Sequence, residues 1–342
     1  MPKHERLKAV VAGWKWGAHH ARAFAESEHT ELEAIWSRSD RPEAQQLAAL
    51  HNVPLHTDFA AMLEELRPDI VSVAVPEAGH EALAIQALQA GCHVYCEKVL
   101  APARAAAERM VQAAAEADRL LNVGYNYRYS PSTLYLSQAL RQGRIGRPLF
   151  AICRAFGCCI HHMLDYANSL LGNPIRAVAT LNKEPLPGKP HPFSPDLVFD
   201  TFSYCALTAK TCMVQYEDGA VLLAGATDYS AAEPPGATLI LDGSEGRLEL
   251  DDLTGKVTLR LQGREATVFT PSQICDRIGL TENCVNAVQD FARAVAAGEP
   301  APVPGQAGIT MIALEEAIFR SAESGAWERV AEVGSRKSEV GS

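Results

Sequence analysis

The residue of this chain best suited to proton chemistry is Lys98, which closes the stretch Cys92-His93-Val94-Tyr95-Cys96-Glu97-Lys98. Val94 to Cys96 reads as a short buried strand, and the pair Glu97-Lys98 stands where it stops. In an open α/β sheet, ligands sit beyond the carboxyl ends of the strands, so Lys98 would face a cleft. An ammonium there can deliver a proton to an oxygen or nitrogen, and burial beside another cation would lower its pKa toward that task. The other reading is a surface lysine paired with Glu97 at the start of a helix that Pro102 opens. A second group lies in Cys158, Cys159, His161, His162 and Asp165. Cys158 and His162 are four apart, on one face of a helix, and thiolate with imidazole suits zinc. Adjacent cysteines are poor zinc spacing, however, and no second cluster of ligands stands nearby in sequence, so no metal site is assigned. Between these groups, Tyr125-Asn126-Tyr127-Arg128-Tyr129 supplies rings and a guanidinium at a domain junction. There Tyr127 and Arg128 either line a polar cleft or pack a hinge.

These side chains need a scaffold, and the first half of the chain describes one. Leu7 to Ala12 is an apolar run of strand length, followed by Gly13-Trp14-Lys15-Trp16-Gly17 and an alanine-rich helix. Strand, glycine turn and helix open a dinucleotide-binding unit, whose helix N-terminus attracts a pyrophosphate. The glycine pattern is incomplete: counted back from Gly17, Ala12 and Trp14 stand where G-x-G-x-x-G has glycines. A second strand, Leu32 to Trp36, ends in Ser37-Arg38-Ser39-Asp40-Arg41. An NAD site usually has an acidic residue at this strand end, for the ribose hydroxyls. Ser37 with Arg38 and Arg41 suits a 2′-phosphate instead, so the expected cofactor is NADP(H). Helices at 42–51 and 58–66, a β-branched strand at 70–75, a helix at 80–90 closed by Gly91, the Lys98 strand, a helix at 103–117 and a strand at 120–125 continue the alternation. This order implies an α/β fold with a parallel, doubly wound sheet.

Val75-Pro76, His80, Ala90-Gly91-Cys92-His93-Val94-Tyr95-Cys96-Glu97-Lys98 and Gly124-Tyr125-Asn126-Tyr127-Arg128, in that order, resemble the Gfo/Idh/MocA family of NAD(P)-dependent oxidoreductases. The resemblance implies a Rossmann domain at 1–126 and a C-terminal α+β domain at 127–333. The second domain would bind substrate and carry a large, mostly antiparallel open sheet of the kind that builds homodimers or homotetramers. It also implies hydride transfer at a nicotinamide, with Lys98 beside the reacting group. Pro76, His80 and Glu97 would belong to the cofactor site, together with the glycine loop Gly13 to Gly17. The family histidine followed three residues later by aspartate maps onto His162 and Asp165, with His161 and Arg128 beside the substrate. The sequence departs from the family at two points: Val99 replaces the proline after Lys98, and Cys158 stands where many family dehydrogenases carry a catalytic aspartate. A histidine without that carboxylate is a poorer base for alcohol oxidation, whereas reduction needs a proton donor. The expected activity is therefore NADPH-dependent reduction of a carbonyl on a sugar-like or other small polar substrate, with Lys98 as proton donor. Two rivals stand beside it. The loop Gly13-Trp14-Lys15-Trp16-Gly17 is similar to that of thiazolinyl imine reductases, which points to a C=N substrate. A non-catalytic NADP-binding sensor is the other, and the presence of both Glu97 and Lys98 speaks against it.

From Arg176 the pattern changes to two-residue alternation, with hairpin signals at Asp218-Gly219 and Asp242-Gly243. Strands are expected at 176–182, 199–207, 211–217, 220–227, 238–241, 247–250 and 257–261, and helices at 283–297 and 308–324. The last helix is expected to pack back on the first domain. The proline-rich 184–196, with Lys189 and His191, reads as a surface excursion or a cover for the cleft, and 334–342 as a disordered tail. A net charge of −10 argues against nucleic acid and anionic membrane as main partners. No apolar run has the length of a membrane span. Nine cysteines, scattered and odd in number and with no secretory signal in view, suggest reduced thiols and a cytoplasmic setting.

Overall fold

A computed structural model describes residues 6–156, 159–182, 209–227, 237–251, 255–271 and 280–332. Strands β1 (Leu7–Ala12), β2 (Thr30–Trp36), β3 (Leu55–His56), β4 (Ile70–Val73), β5 (His93–Cys96) and β6 (Leu121–Val123) alternate with helices α1 (Gly17–Glu26), α2 (Pro42–Leu50), α3 (Phe59–Leu66), α4 (His80–Gln89) and α5 (Arg104–Ala117). The strands form a six-stranded sheet in the order β3-β2-β1-β4-β5-β6, with every pair parallel. This is the dinucleotide-binding order, and it places the strand-order reversal between β1 and β4. Local chemistry marks two of the turns in this alternation. Asp58 caps α3 by accepting from the Ala61 amide at 3.0 Å, and Gly91 leaves α4 at a φ of +88°. Helix α5 begins two residues after Pro102, because Ala103 is still extended at the N-cap.

Strand β6 stops two residues short of the expected 125, and a 3₁₀ turn at Asn126–Tyr129 leads into α6 (Pro131–Arg141). Next come β7 (Pro148–Phe156), α7 (Ile160–Leu171), β8 (Pro174–Asn182), β9 (Ala209–Tyr216), β10 (Val221–Thr227), β11 (Thr238–Gly243), β12 (Gly246–Leu250), β13 (Val257–Leu261) and β14 (Thr267–Phe269). The described chain ends with α8 (Leu280–Ala297), α9 (Gly305–Ser324) and β15 (Glu328–Arg329). The second sheet runs β14-β13-β12-β11-β7-β10-β9-β8-β15, antiparallel except for the β7–β10 pair. The fold is therefore α/β: a parallel Rossmann sheet plus a mixed, mostly antiparallel one. Asp242-Gly243 is the end of β11 rather than a turn, since Asp242 still pairs with Arg247 and the chain reverses at Ser244-Glu245. The strand expected at 199–207, the loop at 184–196 and the tail at 334–342 lie outside the described residues.

Two helices from the end of the chain reach the parallel domain, α8 along its length and α9 with its first turns, while the rest of α9 packs on β8, where the Ala179 amide donates to Ser321 Oγ at 3.0 Å. Helix α8 packs Val288 and Phe291 against Phe24 of α1 and Tyr95 of β5, and the Arg22–Glu282 ion pair (2.7 Å) closes the seam. Helix α9 approaches closely because it starts on glycines. A Cβ on Gly308 would sit 2.7 Å from Leu100 Cβ, and one on Gly305 would sit 2.9 Å from Leu121 Cδ2. The Val123 amide donates to the Val303 carbonyl at 2.8 Å, which ties the chain entering α9 to the edge strand β6.

Candidate active site at the carboxyl end of the parallel sheet

The glycine loop lies at the strand-order reversal. Gly13 adopts φ +118°, and a Cβ there would lie 2.2 Å from the Ala74 carbonyl oxygen, so only glycine lets the loop pass this close to the end of β4. Gly17 begins α1 with no side-chain cap and no acidic residue in the first turn, which leaves the helix N-terminus suited to an anion. Trp14 and Trp16 are half-buried, and Lys15 is exposed. At the end of β2, Ser37 is buried while Arg38 and Arg41 are exposed. The Arg41 guanidinium donates to Ser39 Oγ at 3.4 Å. A cradle that a Cβ would fill, an uncapped helix and a basic strand end together fit a dinucleotide.

Two of the residues assigned to the cofactor site lie beneath it. His80 is fully buried, with Nδ1 3.0 Å from the Val99 carbonyl and Nε2 2.9 Å from the Val75 carbonyl. It clamps the segment after Lys98 to the turn carrying Pro76. Glu97 is also buried. Its Oε1 accepts from His20 Nε2 at 3.0 Å, and its Oε2 accepts from the Lys98 amide at 3.3 Å. Both therefore shape the cleft through the backbone.

Lys98 is half-buried at the tip of β5, and the peptide between it and Val99 is cis. In front of it stands the first turn of α7. His161 and His162 are buried, and the pKa of each lies well below the usual histidine value, through burial first and then the charge of Lys98. Both rings are therefore neutral at physiological pH, and both feel the Lys98 ammonium. The His162 ring stacks on Tyr127 at a centroid distance of 4.6 Å and an interplanar angle of 15°. Tyr125 presents its ring to both histidines, with centroids 6.3 and 6.2 Å away. Among the described residues, His162 Nδ1 is one of several buried polar atoms without a hydrogen-bond partner, and a ligand could supply one to it. Arg128 and Asp165 satisfy each other in a bidentate pair (2.7 and 2.6 Å) that fastens the 3₁₀ turn to α7. Burial raises the Asp165 pKa, and the neighbouring guanidinium opposes that rise. Cys158 lies outside the described residues.

Lys98 from the tip of β5, Tyr127 from the 3₁₀ turn, and His161 and His162 from α7 are thus brought together, with the Arg128–Asp165 pair beside them. Three residues escaped the sequence analysis. His20 and Ser72 complete the group behind Glu97. Their only signals were a histidine three residues after Gly17 and a serine inside a β-branched strand. Lys210 is 1% exposed on the inward face of β9, and its charge is another cause of the low His161 pKa. Two-residue alternation with Cys212, Val214 and Tyr216 would have placed it there.

This assembly of fold and site agrees with what the chain matches. Residues 7–125 match the profile described as an oxidoreductase family with an NAD-binding Rossmann fold, and residues 153–330 match the C-terminal alpha/beta domain of the same family. The chain belongs to the Gfo/Idh/MocA oxidoreductase family. Among its relatives is an inositol 2-dehydrogenase of Streptomyces avermitilis, 30% identical over 193 residues, which are 52% of this chain and 56% of that protein. The chain thus spans little more than half of that relative. A D-apiose dehydrogenase of Paraburkholderia graminis is 24% identical over 94% of this chain and 89% of its own length. Among solved structures, this family member is similar in fold to a levoglucosan dehydrogenase in complex with NADH and levoglucosan. The TM-score is 0.83, with 20% identity over 96% of this chain and all of that one. No helix among the described residues is long and apolar enough to cross a membrane.

Proposed function

We propose that this protein is an NADP(H)-dependent reductase that transfers hydride from NADPH to a carbonyl carbon of a sugar-like or other small polar substrate. The observation that carries the reading is the convergence of the Lys98 charge on two buried, neutral histidines at the carboxyl end of the parallel sheet. NADPH supplies the hydride when bound. Gly13 and the start of α1 hold the pyrophosphate, while Ser37 and Arg38, with Arg41 near, meet the 2′-phosphate. The Lys98 ammonium donates the proton that the new hydroxyl needs as hydride arrives. His162 directs its buried Nδ1 to a substrate hydroxyl, and Tyr127 holds that ring in plane by stacking. Inositol, D-apiose and levoglucosan, after which the two relatives and the structure of similar fold are named, support a polyhydroxy substrate.

Assembly through the open face of the second sheet completes the reading. Ile240, Ile152, Leu223, Met213 and Val178 stand in register across five strands and form one apolar row on that face. Ile152 is 38% exposed and Met213 37%, and a second copy of the chain would cover the row. The described cysteines are unbridged, which supports a reducing, cytoplasmic setting.

The test is NADPH consumption against a panel of keto-sugars and cyclic imines, with NADH in parallel. NADPH should bind about ten- to a hundredfold more tightly than NADH, the value of a charge-assisted contact, and Arg38→Ala should remove most of that preference. Equal affinity for the two cofactors in the unaltered protein would refute the NADP assignment, and a C=N substrate turned over in preference to every ketone would refute the carbonyl one.

A further inference from the structure

Behind Lys98 lies a buried polar group to which neither the family match nor the proposed reaction gives a task. Ser72 on β4 and Glu97 at the tip of β5 both reach His20, on the buried face of α1, and all three side chains are shielded from solvent. His20 Nδ1 is hydrogen-bonded to Ser72 Oγ, and Nε2 lies 3.0 Å from Glu97 Oε1. With Nε2–H donating to the carboxylate, Nδ1 is left to accept from the Ser72 hydroxyl. The second oxygen of Glu97 accepts from the Lys98 amide at 3.3 Å. Gly124 closes the other side, where a Cβ would lie 2.9 Å from Glu97 Oε1, so the carboxylate has little room to move. Tyr95 packs edge-on to the His20 ring at a centroid distance of 5.2 Å. Cys284 of α8 brings its sulfur within 4.8 Å of the ligand atoms of His20 and Glu97.

We propose that His20, oriented by Ser72, is a positioning residue that sets the Lys98 backbone through Glu97. The inference rests on the reading of Lys98 as proton donor. Helix α1 begins at the glycine loop, so one rigid element carries both the cradle for the dinucleotide and the histidine that locates the lysine. Lys98 lies at a strand tip, where only a fixed backbone keeps the long side chain aimed at the reacting oxygen. A displacement of about 1 Å at such a group can cost a hundredfold in rate. Burial makes the arrangement stiff, because Glu97 deprived of its imidazole partner would have to seek another and carry the Lys98 amide with it.

The experiment compares His20→Ala, His20→Gln, Ser72→Ala and Lys98→Ala with the unaltered protein. It records NADPH affinity by fluorescence, kcat and KM on whichever keto-sugar the unaltered protein reduces, and the ¹³C-dimethyl-lysine NMR signal of Lys98 with and without NADPH. Loss of the signal in Lys98→Arg identifies it. His20→Ala should lower kcat about 10- to 100-fold and shift the Lys98 signal, with NADPH affinity within about threefold of normal. His20→Gln, whose amide nitrogen can reach the same carboxylate oxygen, should recover most of the rate. If His20→Ala does not fold, Ser72→Ala should produce the same pattern in a smaller form, with kcat lowered about threefold. A His20→Ala protein with normal kcat and an unmoved Lys98 signal overturns the proposal, as does a glutamine variant no better than alanine. Near-normal kcat in Lys98→Ala would instead sink the proton-donor reading, and the NMR signal would still decide whether His20 places the lysine.

Discussion

Lys98 stands between two buried groups that each centre on histidine and differ in completeness. Behind it, both ring nitrogens of His20 are bonded, to Ser72 and to Glu97. In front of it, the His162 ring is held by stacking on Tyr127, and Nδ1 has no partner among the described residues. A buried polar atom costs free energy unless something satisfies it, so a fold keeps one open where a ligand repays the cost. On the proposed reading, the rear group is scaffolding and the front group is a receptor.

The largest effect that can test this contrast lies at the lysine itself. Lys98→Ala should lower kcat by about 10²–10⁴-fold, the contribution of a positioned acid, with NADPH affinity nearly unchanged. Steady-state kinetics beside a fluorescence titration would measure both, and a near-normal kcat would remove the lysine from the chemistry.

Replacing either ring by phenylalanine should then separate the groups. His20→Phe strands Glu97 and Ser72 in the interior and should cost about 1–3 kcal/mol of unfolding free energy. His162→Phe keeps the stacking and strands nothing, so its stability should stay within about 1 kcal/mol of the unaltered protein while activity falls. Urea unfolding of the two variants measures the pair, and equal losses of stability would erase the distinction.

Acid should find the front group next. His161 and His162 have folded pKa values well below their unfolded value of about 6.5, because burial and the Lys98 charge oppose a second cation. The stability that their neutral forms lend is fully present above that value. It drains as pH falls below it, because the unfolded chain then binds protons that the folded one refuses, at about 1.4 kcal/mol per pH unit for each histidine. His162→Phe should roughly halve the contribution of the pair. Unfolding free energies at pH 7, 6 and 5 would show it, and an unchanged slope would mean that these rings are not held neutral.

The smallest expected effect concerns metal. The His20–Glu97–Cys284 atoms are close enough to ligate an ion, yet His20 and Glu97 already use each other. Dialysis against EDTA should therefore leave activity and melting temperature unchanged. One zinc per chain, lost in His20→Ala, would turn the rear group from a positioning device into a metal site.

How far the sequence foretold this arrangement depended on the range of the interactions. Strand and helix periods, the Gly13–Gly17 turn, the Asp58 cap and the place of Lys98 at a strand end are properties of neighbours along the chain. They were legible from composition and spacing alone. The parallel order followed too, because helices alternating with short apolar strands leave few other ways to cover a sheet. Asp242-Gly243 does not itself make the turn, because Asp242 pairs with Arg247 of β12 and Gly243 with Pro148 of β7, and that pairing outweighs the local preference of the dipeptide for turns.

Tertiary structure alone decided which polar side chains meet. Ser72 and Glu97 are 52 and 77 residues from His20, and all three meet because β1, β4 and β5 stack in one sheet beneath α1. Arg128 and Asp165, 37 residues apart, meet through Nε and Nη2 on one edge of the guanidinium, a pair that no local period announced. The sequence by itself determined the strand that carries Lys98 and the glycine loop that follows β1. Which histidine is locked away and which is left with an open nitrogen depends on three-dimensional packing, because hydrogen-bond satisfaction is a property of neighbours in space and has no period along the chain.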